Sequence, residues 1–148
     1  RPVIDDVAGE RKRELVKRLV FCTGKIYYDL LAAGVPDSVA VVRVEELYPW
    51  PHDAIAQTVD QYPNIDEVAW VQEEPKNMGA WSFVAPRLRV STGNALVIRY
   101  YGRPERASPA EGYADTHAAE QQRIVTEVLS APVRHTGARR VTQMTARS

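Results

Sequence analysis

With 148 residues, 45% hydrophobic and 26% charged side chains and a formal net charge of zero, the sequence has the size and composition of one ordinary globular domain. That charge balance gives no support to a nucleic-acid or anionic-membrane partner, and no apolar run approaches the roughly 18 residues a membrane span requires. The single cysteine, Cys22, leaves no internal disulfide and no multi-cysteine metal site, and it suits a reducing, cytoplasmic setting.

The chain opens Arg1-Pro2, with neither an initiator methionine nor an apolar secretory stretch, as expected of a piece of something longer. Residues 1–17, dense in charge from Asp5 to Lys17, read as a linker or short amphipathic lead-in. Leu19-Val20-Phe21-Cys22 is a short continuous apolar run closed by Thr23-Gly24-Lys25, the pattern of a buried strand ended by a glycine turn. Ile26, Tyr27, Leu30 and Leu31 follow at helical spacing, with Gly34 as the stop. Residues 38–44 form a valine-rich strand, and Tyr48-Pro49-Trp50-Pro51 a stiff extended connection. Ile55, Val59 and Tyr62 share one face of a helix over 52–61.

Val68-Ala69-Trp70-Val71 is the third strand, with the acidic loop 72–77 behind it. A helix is expected over 78–89 with Trp81, Val84, Ala85 and Leu88 inward, Pro86 being its misfit. Residues 95–101 form the fourth strand and 102–112 a loop rich in Pro, Ser and Gly. Asp115 is placed to cap a last helix reaching Leu129, with Ala118, Gln121, Val125 and Val128 along its stripe. Residues 131–148 carry arginines and no acid, and read as a basic tail or a short edge strand at 141–144. Strand and helix alternate four times without an internal repeat. The fold class that follows is α/β, a three-layer domain with a mainly parallel sheet flanked by helices.

In such a sheet, ligands gather beyond the carboxyl ends of the strands, where three loops fall. Thr23-Gly24-Lys25 admits two readings: a tight turn with a solvated lysine, or an anion site at a helix N-terminus. The glycine spacing of a phosphate-binding loop is missing. Glu73 and Glu74 are adjacent, so an extended backbone turns them apart; a structural loop tied to a nearby Arg or Lys is expected over acid–base work. Arg103, Arg106 and Ser108 either recognise an oxyanion or lock their loop to that acidic pair, and the lock is the reading adopted. His52, His117 and His135 have no metal-binding spacing. There is neither a Gly-x-Ser-x-Gly elbow nor a GxGxxG after the first strand. Trp50, Trp70, Trp81, Tyr100 and Tyr101 lie on packed elements and suit core or interface better than ligand stacking. From its residues the chain is a flavodoxin-like domain with no self-sufficient active site.

Five ordered blocks add a resemblance. Arg43-Val44-Glu45-Glu46-Leu47-Tyr48-Pro49-Trp50-Pro51 resembles the RxEQLYPFP segment of 2-oxoglutarate dehydrogenase E1 subunits, with Glu46 for glutamine and Trp50 for phenylalanine. Cys22–Leu30 is similar to CSGKxYYDL, and Tyr62-Pro63-Asn64 to YPNA. Trp70–Trp81 is similar to WxQEEPxNxGAW, and Tyr101–Ala110 to YxGRxxxASPAxG. The match spans about residues 18–130, taken as the α/β domain, and its wording is nearest to actinobacterial multifunctional enzymes.

The resemblance implies a transketolase C-terminal-like fold in a homodimeric enzyme of the tricarboxylic acid cycle. Such an enzyme uses thiamine diphosphate and magnesium, and works with a lipoyl-bearing acyltransferase and dihydrolipoamide dehydrogenase in the bacterial cytoplasm. The family's Gly-Asp-Gly cofactor motif is absent here, so the cofactor and the catalytic residues are expected outside this chain. Its implied role is packing against preceding E1 domains and supporting the dimer. Acetyl-coenzyme A activates the actinobacterial enzymes, which gives Thr23, Gly24, Lys25, Lys76 and Arg87 a possible allosteric meaning. Two readings of other classes stand beside it: a free-standing anion- or nucleotide-binding module and a pure interaction domain.

Overall fold

The computed structural model describes residues 1–6, 8–94, 96–105 and 114–133. The order of elements is β1 (Val3–Ile4), a 3-10 helix (Ala8–Leu15), β2 (Arg18–Cys22), α1 (Ile26–Ala33), β3 (Val39–Val44), α2 (His52–Asp60), β4 (Glu67–Pro75), α3 (Trp81–Ser91), β5 (Val97–Arg103) and α4 (Ala114–Ser130). One sheet runs β1-β3-β2-β4-β5. All its neighbours are parallel except β1, which pairs antiparallel with β3 through Val3↔Val44 and Ile4↔Arg43. The three-layer, mainly parallel α/β class expected from the alternation is the class found.

Parallel strands covered on both faces must be apolar on both, and they are. Leu19, Phe21, Ala40, Val42, Val68 and Trp70 point into one buried cluster with Ile55 and Val59 of α2 and Val84 and Leu88 of α3. Val20, Cys22, Val41, Ala69, Val71 and Tyr101 point into the other, against Ile26 and Leu30 of α1 and Ile124, Val125 and Val128 of α4. The chain enters the parallel sheet at its middle, crosses through α1 to β3, then returns through α2 to β4 on the far side of β2. The strand order therefore reverses between β2 and β4, and this is the topological switch point.

Several boundaries move. The described part of the entry segment touches the sheet: Val3 and Val16 are buried, and the Asp6 carboxylate accepts the Val41 N–H on the edge of β3 at 2.9 Å. The third helix begins at Trp81 and not Met78, because residues 76–80 form a turn. Gln72 holds that turn shut. The fourth strand runs on to Arg103, past an irregularity that lets Pro75 pair with Arg103. Ala118 of α4 is exposed, while Ile124, Val125, Val128 and Leu129 carry the buried stripe. The side chain of Asp115, the Arg106 and Ser108 loop and the tail from 134 lie outside the described residues.

Candidate functional site

The β2–α1 turn and the β4–α3 loop meet at the switch point. Gly24 takes φ 79, a conformation that strains any residue with a Cβ, and so lets the chain turn directly from β2 into α1. The turn delivers Lys25, whose Nζ lies 2.9 Å from Glu73 Oε1 of β4 and 3.9 Å from Asp29 Oδ2 one helical turn on. The Lys25 side chain is 72% exposed. Its hydrogen bond to Glu73, then the Glu73 charge, raises its ammonium above the ordinary lysine value. The acidic loop is thus tied by an ion pair to a basic side chain, here Lys25, where the sequence left arginine or lysine open. Glu73 faces the α1 and α4 side while Gln72 faces the other, so the two neighbours do separate work.

Gln72 is buried, with all of its named bonds made inside the chain. Its Oε1 accepts Trp70 Nε1–H at 2.9 Å and the Trp81 backbone N–H at 3.1 Å. Its Nε2 donates to the carbonyls of Glu74 at 3.1 Å and Pro75 at 3.0 Å. One amide therefore caps the first N–H of α3 and folds the end of β4 back on itself. A Cβ on Gly79 would stand 2.6 Å from Gln72 Nε2, so glycine is required there by packing. This accounts physically for the Trp70–Trp81 block: its Trp, Gln, Gly and second Trp are one joint.

The remaining candidates are dispersed. Lys76 lies over the Tyr100 ring at 5.5 Å, and its N–H donates to the Arg103 carbonyl at 3.2 Å. Arg87 sits on α3, its guanidinium 3.7 Å from the centre of the Phe83 ring and donating to the Phe83 carbonyl at 2.8 Å. Lys25 and Lys76 share the carboxyl rim of the sheet, whereas Arg87 belongs to the helical layer of α2 and α3. The expected lock between Arg103 and the acidic pair is not made: Lys25 takes Glu73, and Arg103 Nε and Nη2 are buried without a hydrogen-bond partner. Phe83 also carries Tyr48, the two ring centres 4.5 Å apart, and Tyr48 is 74% exposed. His52 Nδ1 is 2.8 Å from Ser91 Oγ, which also accepts Trp50 Nε1–H at 3.0 Å, so His52 joins α2 to α3. His117 is exposed, and His135 lies outside the described residues.

At the opposite, amino ends of the strands is a buried charge network the sequence reading missed. Arg18 Nε donates to Glu67 Oε1, and its two other nitrogens reach the carbonyls of Val128 at 3.0 Å and Pro132 at 3.1 Å. Tyr101 O–H donates to Glu67 at 3.2 Å, and Arg99 approaches its second oxygen at 3.3 Å. Burial, followed by the Glu67 charge, pushes the Tyr101 phenol up to about 12. The available signal was a charge opening each of two apolar runs, Arg18 before Leu19 and Glu67 before Val68. Pairing them needed the strand order.

Cys22 is buried, and desolvation, partly opposed by Arg43, pushes its thiol up to about 12; it is no nucleophile in this setting. Among the described residues no three His, Cys, Asp or Glu side chains are grouped to hold a metal, and no helix is long and apolar enough to cross a membrane.

A family model described as the 2-oxoglutarate dehydrogenase C-terminal domain matches residues 1–129. The chain is 48% identical over 143 residues to the 2-oxoglutarate dehydrogenase E1 component of Exiguobacterium sp., covering 93% of this chain and 15% of that protein. It is 48% identical over 133 residues to the E1 component of Geobacillus kaustophilus, covering 87% and 14%. It is 46% identical over 122 residues to the mitochondrial 2-oxoglutarate dehydrogenase of Caenorhabditis elegans, covering 79% and 12%. The chain thus spans about one seventh of the length of these bacterial relatives.

Proposed function

Since the chain belongs to the 2-oxoglutarate dehydrogenase C-terminal family, we propose that it serves as the supporting α/β domain of an E1 component whose catalysis is carried out elsewhere in the polypeptide. The observation that carries this reading is the state of the switch point. Where an open α/β sheet commonly receives its ligand, the polar groups are turned on one another: Lys25 on Glu73, and Gln72 on Trp70, Trp81, Glu74 and Pro75. The described residues also offer no group of acidic or histidine ligands for magnesium, so no step through thiamine diphosphate is assigned to them. In the proposed whole enzyme, bound thiamine diphosphate would supply the carbanion chemistry of 2-oxo acid decarboxylation. This domain would pack against the preceding E1 domains and the second subunit of a cytoplasmic homodimer, which works with lipoyl-bearing acyltransferase and dihydrolipoamide dehydrogenase. The exposed Tyr48 packed at a tilt against Phe83, with Arg87 on the same Phe83 ring, has the residue types of such a packing face.

Calorimetric titration of thiamine diphosphate with magnesium, into this chain and into the longest polypeptide that carries it, tests the proposal. Binding to the long polypeptide alone is expected. Tight binding by this chain, folded by circular dichroism, would overturn it.

A regulatory role is a second part of the proposal. Thr23, Gly24, Lys25 and Lys76 stand on the ligand-side rim, and the exposed Lys25 ammonium is held by ion pairs with Glu73 and Asp29 that a phosphate can exchange. Arg87 enters less directly, from the α3 layer. With acetyl-coenzyme A as the effector, Lys25→Ala and Lys76→Ala should weaken activation of the long polypeptide while its basal rate stays unchanged. Full activation of both variants would refute the regulatory site.

A further inference from the structure

The other charged side chains at least nine-tenths buried among the described residues are Asp6, Arg18 and Glu67. Each is paired: Arg18 with Glu67, and Asp6 with the Val41 N–H. Arg103 breaks that rule. It is 8% exposed, and its Nε and Nη2 have no hydrogen-bond partner. A guanidinium cannot lose its charge at any ordinary pH, so it cannot relieve burial by becoming neutral, as a lysine can. An unmatched charged donor inside a protein costs more than a neutral one left unpaired.

The identity of the two unpaired atoms matters. Nε–H and the Nη2 N–H lie along one edge of the guanidinium plane and point the same way. That edge meets two oxygens of a single carboxylate or phosphate group, in a fork-to-fork arrangement. Their being unpaired together marks a complete bidentate face and not one stray donor. The backbone beneath it is fixed. The Arg103 carbonyl accepts both the Tyr100 hydroxyl at 2.6 Å and the Lys76 N–H at 3.2 Å. Gly102 beside it has no room for a side chain, since a Cβ would stand 2.5 Å from the Tyr100 hydroxyl oxygen and 2.8 Å from the Gln72 carbonyl oxygen. Arg103 closes β5 at the carboxyl end of the parallel strands, the side on which ligands of such sheets collect.

We propose that Arg103 is the anchor of an oxyanion site at the carboxyl end of β5, taking two oxygens of a phosphate or carboxylate group on a small soluble ligand. The site shares no residue with the Thr23–Lys25 turn and needs nothing of the regulatory reading.

The test uses the longest polypeptide carrying this chain, with inorganic phosphate as the probe and chloride at matched ionic strength as the control. Two variants are compared with the parent: Arg103→Met, which keeps the stem and removes the fork, and Arg103→Lys, which keeps the charge and removes the fork. Phosphate is expected to raise the melting temperature of the parent above the chloride control. The rise should vanish in Arg103→Met. Calorimetry should find phosphate binding about tenfold weaker in Arg103→Lys, the loss of one charge-assisted hydrogen bond. Should Arg103→Met fail to fold, the affinity of Arg103→Lys decides alone, and an unchanged affinity refutes the site. Equal phosphate responses in parent and Arg103→Met refute it too. With no phosphate response anywhere, a lower melting temperature of Arg103→Met would show that the fork is held by a side chain of the polypeptide. A higher one would show that it is unpaired. Either result overturns a ligand site.

Discussion

The two ends of the central strands hold charges in opposite ways. At the amino ends, Arg18 and Glu67 are almost wholly buried and are met by Tyr101, Arg99 and the carbonyls of Val128 at the end of α4 and Pro132 just beyond it. At the carboxyl ends, Lys25 and Glu73 form an ion pair with the lysine largely in solvent. Desolvation makes the first an all-or-none arrangement: once such charges are buried, only a complete set of partners makes it tolerable. The second is screened by water and salt, so its partners can be exchanged. Structural and adaptable charge thus separate along a single strand: Glu67 opens β4, and Glu73 lies six residues further on.

Glu67→Ala should break the comparison most severely. It leaves Arg18 buried beside no anion, and a loss of about 3–5 kcal/mol is expected in urea unfolding. The double variant Arg18→Met, Glu67→Leu should recover much of it. A loss under about 1 kcal/mol for Glu67→Ala would mean that the amino-end network behaves like a surface pair.

Gly79→Ala comes next. Its Cβ must displace a Gln72 amide that four hydrogen bonds hold in place. A loss of about 2 kcal/mol is expected, from overpacking and broken buried hydrogen bonds, with a fraying start of α3 seen by hydrogen exchange at Trp81. Wild-type stability in Gly79→Ala would show that the joint yields freely.

Alkaline pH gives a smaller effect. The Cys22 thiol rises from an ordinary value near 9 to about 12 through burial. In the folded chain it keeps its proton while the unfolded chain ionises. The stability it contributes is whole below pH 9 and is lost as pH climbs toward 12, by at most ~1.4 kcal/mol per pH unit. Tyr100 and Tyr101, both pushed up to about 12 chiefly by burial, add the same sign above pH 10. Cys22→Ala should therefore show a shallower decline between pH 9 and 12. Identical slopes in variant and parent would remove the thiol from this account.

Lys25→Ala is expected to change least, under ~1 kcal/mol and with a salt dependence, because an exposed pair is already half surrendered to water. A large, salt-insensitive loss would place the Lys25–Glu73 pair with the buried network and erase the contrast.

Much of this was legible in the residues. Leu19–Cys22, the valines of β3 and Val68–Val71 announce strands buried on both faces, because only such strands are apolar at every position. That the acidic loop is tied by an ion pair to a basic side chain was likewise readable, since neighbours on an extended segment diverge. The lock assigned to Arg103 was not, because Glu73 is closed by Lys25 from a turn 48 residues earlier. The start of α3 was misplaced by three residues because helical spacing from Met78 onward says nothing of Gln72, whose amide takes the Trp81 N–H and holds the preceding residues in a turn.

The sequence by itself determined the class of fold, the layers and the family, since apolar periodicity and five ordered blocks are written locally along the chain. Only the tertiary structure decided which charges meet. Arg18 and Glu67 stand 49 positions apart and Lys25 and Glu73 stand 48 apart, and neither separation carries any local trace. A charge pair of this kind exists only after β2 and β4 lie side by side, and burial then makes one pair structural and leaves the other to the solvent.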